Sequence, residues 1–149
     1  MFDIEKLTDA ATRAISDFIA THPSETFYAF AVDADMLCFN SLERLEETVA
    51  QYRTKRPGRY STAADVQRLK DNTGDWSYQG FYRLGSEHGF DNDLYDDYYN
   101  QYESGIEPTT ENDYALAMTR LLEILQACGA FAALRRTEDF VATLAGHEY

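Results

Sequence analysis

The sequence predicts a single α+β domain over residues 1–149, mostly helical, with a small antiparallel β-sheet. Three observations lead there. Apolar side chains recur every three or four positions through several long stretches, as they do in amphipathic helices. Between these, 26–32 and 36–39 are too short for helices and too rich in aromatic and β-branched residues for loops. A hydrophobic content of 44%, with 14% aromatics in 149 residues, then supplies core material for one domain of ordinary size.

Taken in order, Ile4, Leu7, Ala11, Ala14, Ile15, Phe18 and Ile19 place the first helix over Asp3–Thr21. His22-Pro23 ends it, because a residue before proline is pushed out of the α region. Thr26–Val32 reads as an interior strand, Asp33-Ala34-Asp35 as a turn, and Met36–Phe39 as the strand pairing back. Asn40 with Glu43 three residues on suits a capping box, opening a helix striped with Leu42, Leu45, Val49 and Tyr52. Thr62 with Asp65 starts a short helix carrying Val66 and Leu69, which stops near Gly74. Trp76, the only tryptophan, suits core or hinge packing, with an interface anchor as the alternative. Phe81, Tyr82 and Leu84 suggest another helical piece.

Asp91–Glu103 reads as a tyrosine-rich helix. At ~100° per residue, Leu94, Tyr95, Tyr98, Tyr99 and Tyr102 fall within an arc of about 140°. Of these, Leu94, Tyr98 and Tyr102 are expected to face the core. Asp93, Asp96, Asp97, Asn100 and Glu103 lie outside the arc. Gly105 and Pro108 terminate this helix, and Thr110 with Asp113 caps the next. Tyr114, Met118, Leu121, Leu125 and Cys128 share one line of that helix, making Tyr114–Cys128 the expected most buried helix. Alternation of Phe140, Ala142 and Leu144 with Val141 and Thr143 favours a last strand over a helix in 139–145. That strand is expected to close the antiparallel sheet beside the hairpin.

The net charge of −13, from 13 basic and 26 acidic residues, exceeds the magnitude of about 2 to 8 that suffices for solubility. Such a field repels nucleic acid and anionic membranes and speeds encounter with a basic partner. A generally acidic proteome would give the same total, so the distribution matters more. From Leu84 to Thr119 there is no lysine or arginine, while Glu87, Asp91, Asp93, Asp96, Asp97 and Glu103 fall there, followed by Glu107, Glu111 and Asp113. Either this is a solvated face, or Asp93, Asp96, Asp97, Asn100 and Glu103 form a docking surface with Tyr99 as a rim anchor. The basic residues Arg53, Lys55, Arg56 and Arg59 surround Pro57-Gly58 and are expected to pair with the protein's own carboxylates.

Signatures of chemistry are weak. His22, His88 and His147 are scattered, and no Cys-x-x-Cys spacing suggests zinc. Asp91-x-Asp93-x-Tyr95 begins like a calcium loop, but Asp96 stands where glycine is needed and Tyr102 where a bidentate acid belongs. No glycine-rich phosphate loop or nucleophile elbow is present. The expectation is therefore a protein that is not an enzyme, with no cofactor and no metal, and with no catalytic role for His22, His88 or Cys38. A site dispersed along the chain stays open. Cys38 and Cys128, read in a strand and a buried helix, are expected as free thiols in a reducing compartment, with a disulfide as the alternative. No apolar run approaches the ~20 residues that span a bilayer. Met1–Thr12 carries acids and no apolar core of a secretory signal, so a cytoplasmic location is expected.

The run Glu25–Asp33, then Asn40-Ser41-Leu42-Glu43 opening a helix, then Trp76-x-Tyr78, resembles an uncharacterised bacterial domain-of-unknown-function family of about this length. Members are associated with polymorphic and contact-delivered toxin systems, in which small cytoplasmic proteins serve as immunity partners. The resemblance implies an immunity protein that binds and neutralises a cognate toxin domain. It carries over no functional residues. The acidic span adds that the toxin would be basic, as a nuclease must be to hold phosphates. The alternative is a structural or adaptor domain, without a toxin partner, that joins an assembly through the exposed edge of its small sheet.

Overall fold

The computed structural model describes residues 1–105 and 113–146. Helix α1 (Ile4–Thr21) leads into strands β1 (Phe27–Asp33) and β2 (Met36–Ser41), then helices α2 (Leu42–Lys55) and α3 (Ala63–Asp71). A short 3₁₀ turn at Thr73–Asp75 precedes β3 (Tyr78–Arg83), and another at Ser86–His88 precedes α4 (Asn92–Glu103). Helix α5 (Asp113–Ala127) and strand β4 (Arg136–Leu144) complete the α+β fold. The four strands form one sheet in the order β3-β2-β1-β4.

Helices cover both faces of this sheet. On one face Phe30, Val32, Leu37 and Phe39 pack with Leu7, Ile15 and Phe18 of α1 and Met118, Leu121 and Leu125 of α5. On the other, Tyr28, Ala31 and Cys38 pack with Leu45 and Val49 of α2, Leu69 of α3 and Trp76. All seven residues of β1 are buried in consequence. Its near-continuous apolar run is what a strand covered on both faces requires.

The expected hairpin is present, with Asp33 paired to Met36 and Phe30 to Phe39. Strand β4 also lies beside β1 but runs parallel to it, so the sheet is mixed where an antiparallel one was expected. The cause is the route of the chain. Helix α5 packs against α1 and β4, and the loop leaving it reaches the start of β1, where the Phe27 amide donates to the Arg135 carbonyl at 2.9 Å. A crossover that carries a helix back over one face delivers a parallel neighbour.

Phe81 and Tyr82, expected to begin a helical piece with Leu84, lie instead in the edge strand β3. Gly80 lies at φ +67° within it, breaking the β2 register as a bulge does. The expected cap Asn40 belongs to β2, and Ser41 takes that role by accepting from the Arg44 amide at 3.1 Å. Asn40 is instead buried, donating from Nδ2 to the Tyr28 hydroxyl at 2.9 Å. Glu43 accepts the Thr26 amide at 2.6 Å, tying the start of β1 to α2. The Thr62–Asp65 capping box of α3 forms as expected. Cys38 is buried and Cys128 exposed, and both are free thiols. Position 128 falls just past the last residue of α5, beyond the buried stripe. Thr110 and Pro108 lie outside the described residues.

Candidate docking surface on the acidic helix

Helix α4 begins where Asp91 accepts the Leu94 amide at 3.0 Å. The Asp91 carboxylate also meets the Met1 ammonium, and those bonds hold its carboxyl below the usual range. On the inward side Tyr98 is buried, its ring 4.7 Å from that of Tyr114 on α5. Tyr95 packs 5.0 Å from the same ring. Burial, reinforced by Asp33 and Asp35 at the hairpin turn, pushes the Tyr95 hydroxyl up to about 12. These rings fix the rotation of α4 about its axis. Leu94 and Tyr102, expected inward, are half-buried.

That rotation leaves Asp93, Asp96, Asp97, Tyr99, Asn100 and Glu103 exposed along one side of the helix. The six residues expected at a partner surface therefore do lie together on solvent-facing helix. Tyr99 is 37% exposed and donates to the Glu103 carboxylate at 2.7 Å, which holds its ring across the acidic face. Among the described residues, Asp93, Asp96, Asp97 and Glu103 make no ion pair. Their charge is uncompensated locally and acts outward. Glu107 and Glu111 of the same cation-free span lie outside the described residues.

The basic cluster behaves differently from expectation. Arg53 donates from Nε to the Tyr60 carbonyl at 2.7 Å, and none of Arg53, Lys55, Arg56 and Arg59 ion-pairs among the described residues. Arg53 and Lys55 occupy the last turn of α2, where positive charge complements the helix dipole without a carboxylate partner. Charge is thus divided across the sheet, since α2 packs on one face and α4 on the other.

A polar cluster that sequence reasoning missed centres on Glu25. Its carboxylate accepts the Ser41 hydroxyl at 2.7 Å and the Tyr78 hydroxyl at 2.5 Å, with Arg44 Nε 3.4 Å away. Burial works to raise this carboxyl, but the two hydroxyls and the Arg44 charge outweigh it and the net shift is downward. Arg44 also donates to the Tyr78 hydroxyl at 2.9 Å. The group ties the β1 approach, the α2 cap and the edge strand together. It could have been sought had 78–83 been read as a strand, a reading its Tyr, Phe and mid-segment Gly favour.

Among the described residues, no group of three or more His, Cys, Asp or Glu side chains is placed to hold a metal ion. No described helix is long and apolar enough to cross a membrane. Compared with protein-family models, with curated proteins and with solved structures, the chain matches none.

Proposed function

We propose that this protein is an immunity protein, which binds a basic toxin domain through the outer face of α4 and so neutralises it. The observation that carries the reading is the run of exposed carboxylates Asp93, Asp96, Asp97 and Glu103, without ion pairs among the described residues, around the half-exposed ring of Tyr99. Like charge concentrated on a helix destabilises the folded state by self-repulsion until an opposite charge relieves it. A cationic partner supplies that charge, and the field orients the encounter and raises the association rate above the neutral ~10⁵–10⁶ M⁻¹s⁻¹. Tyrosine in such a ring of polar groups supplies apolar contact with little rotamer entropy to lose. The family resemblance supplies the toxin; the helix supplies the sign of its surface. Binding that covers or distorts the toxin's active site is then sufficient, and no chemistry is asked of this chain.

The experiment begins with the reading frames that flank the gene, each expressed alone in a host cell. One of them is expected to arrest growth, and coexpression of this chain is expected to restore it. The double reversal Asp96→Lys/Glu103→Lys should lose that rescue while keeping a wild-type circular dichroism spectrum. The reading fails if no flanking frame is toxic, or if the folded double reversal rescues as well as the wild type.

A further inference from the structure

A groove of about 820 Å³ lies between α1 and the edge strand β3, away from the acidic helix. The two elements run in opposite directions along it. At one end His22, just past α1, stacks edge-on to Tyr78 at 4.9 Å. At the other, Lys6 near the start of α1 lines the groove with Glu87 and His88, which follow β3. The floor is aromatic: Phe81 meets Phe18 at 4.6 Å, and Tyr82 beyond it hydrogen-bonds His88 Nε2 at 2.9 Å.

The α1 wall carries Lys6, Asp9, Arg13 and Asp17, all exposed and alternating in sign. Among the described residues none of the four makes an ion pair. At ~1.5 Å rise per residue, successive charges stand about 4.5–6 Å apart along the helix. Side chains on one face of a β-strand recur every ~6.6–6.8 Å, so a strand beside α1 slips by about 3–4 Å over the four charges, within the reach of flexible Lys and Arg side chains. The facing edge is suited to receive one. The Leu84 amide donates to the Asp35 carbonyl at 2.7 Å and the Gly80 amide points at Cys38 Sγ. Arg83 lies between Tyr82, paired with Leu37, and Leu84, bonded to Asp35, so its backbone groups turn away from β2, onto the free edge of the sheet.

We propose that this groove binds an extended segment of a partner protein as a fifth strand beside β3. The segment runs parallel to α1 and presents acid, base, acid, base at every second residue, opposite Lys6, Asp9, Arg13 and Asp17. Main-chain pairing with β3 supplies affinity and the charge order supplies specificity. This surface is separate from α4 and independent of the toxin reading.

The probe is the synthetic peptide acetyl-Glu-Thr-Lys-Thr-Glu-Thr-Lys-amide, titrated into the full-length chain by NMR. Saturable shifts of Tyr82, Phe81 and α1 amides are expected, with the sign-mirrored peptide Lys-Thr-Glu-Thr-Lys-Thr-Glu bound at least about tenfold more weakly. Arg13→Glu/Asp17→Arg, which leaves the core untouched, should weaken binding of the first peptide. Backbone N-methylation should abolish binding when placed on one alternate set of residues, charged or threonine, and not on the other. The Asp96→Lys/Glu103→Lys protein should bind the peptide as wild type does, which separates failure here from failure of the α4 reading. Absence of saturable shifts up to about 1 mM, equal binding of the mirrored peptide, or indifference to both N-methyl sets would each overturn the proposal.

Discussion

Ala34, in the turn between β1 and β2, is the one non-glycine among the described residues with positive φ, at +55°. A Cβ in that region crowds the following carbonyl, at about 1–2 kcal/mol for an L-residue. The turn stays because its surroundings hold it: the Tyr114 hydroxyl donates to the Ala34 carbonyl at 2.7 Å. Ala34→Gly should therefore raise stability, by up to about 1 kcal/mol after the extra unfolded-state entropy of glycine is set against it. Urea unfolding measures this, and an unchanged or lower midpoint would show that the turn is unstrained. Glu25 predicts a pH effect. Its folded carboxyl lies below the ordinary value of about 4.3, so its contribution is present above that pH and lost as pH falls through the lower folded value. Glu25→Gln should be less stable than wild type at pH 7, with the gap closing below about pH 4. A gap that stays constant from pH 7 to pH 2 would assign the loss to packing rather than charge.

Among the elements, helices with one-sided apolar spacing were legible, because that spacing is the burial pattern itself. Leu121 and Leu125, marked by periodicity alone, are both fully buried in α5. Leu121→Ala or Leu125→Ala should each destabilise the fold by about 2–5 kcal/mol through cavity formation. Losses under about 1 kcal/mol at both positions in chemical denaturation would place α5 at the periphery instead. Strand β3 was not legible. Its bulge at Gly80 puts both Phe81 and Tyr82 against the same core, destroying the alternation that announces a strand. Ser41 displaced Asn40 as the cap of α2 for a related reason. Strand β2 continues two residues past Phe39, and where a strand ends is set by its pairing with β1, which short-range sequence does not contain.

Across the whole molecule, the acidic face was legible because charge spacing on a helix needs no tertiary information, and α4 turns that face outward as the wheel requires. The α1–β3 groove was hidden, since it exists only once two segments some 60 residues apart are laid side by side. If the proposed function holds, association of Asp96→Lys/Glu103→Lys with the basic partner should be slower than wild type at low salt and converge with it as salt rises. Screening shortens the reach of the field to about 10 Å at 0.1 M. Equal rates at every ionic strength would reduce the acidic helix to a solvated face. The parallel pairing of β4 with β1 has a consequence for synthesis on the ribosome. The hairpin of β1 and β2 emerges early, but the strand that covers the other side of β1 lies about 110 residues later. At roughly 5–20 residues per second, β1 waits on the order of 5–20 s with its apolar edge open. Nascent chains halted before Arg135 should therefore be captured by chaperones or aggregate, and those released after Ala145 should not.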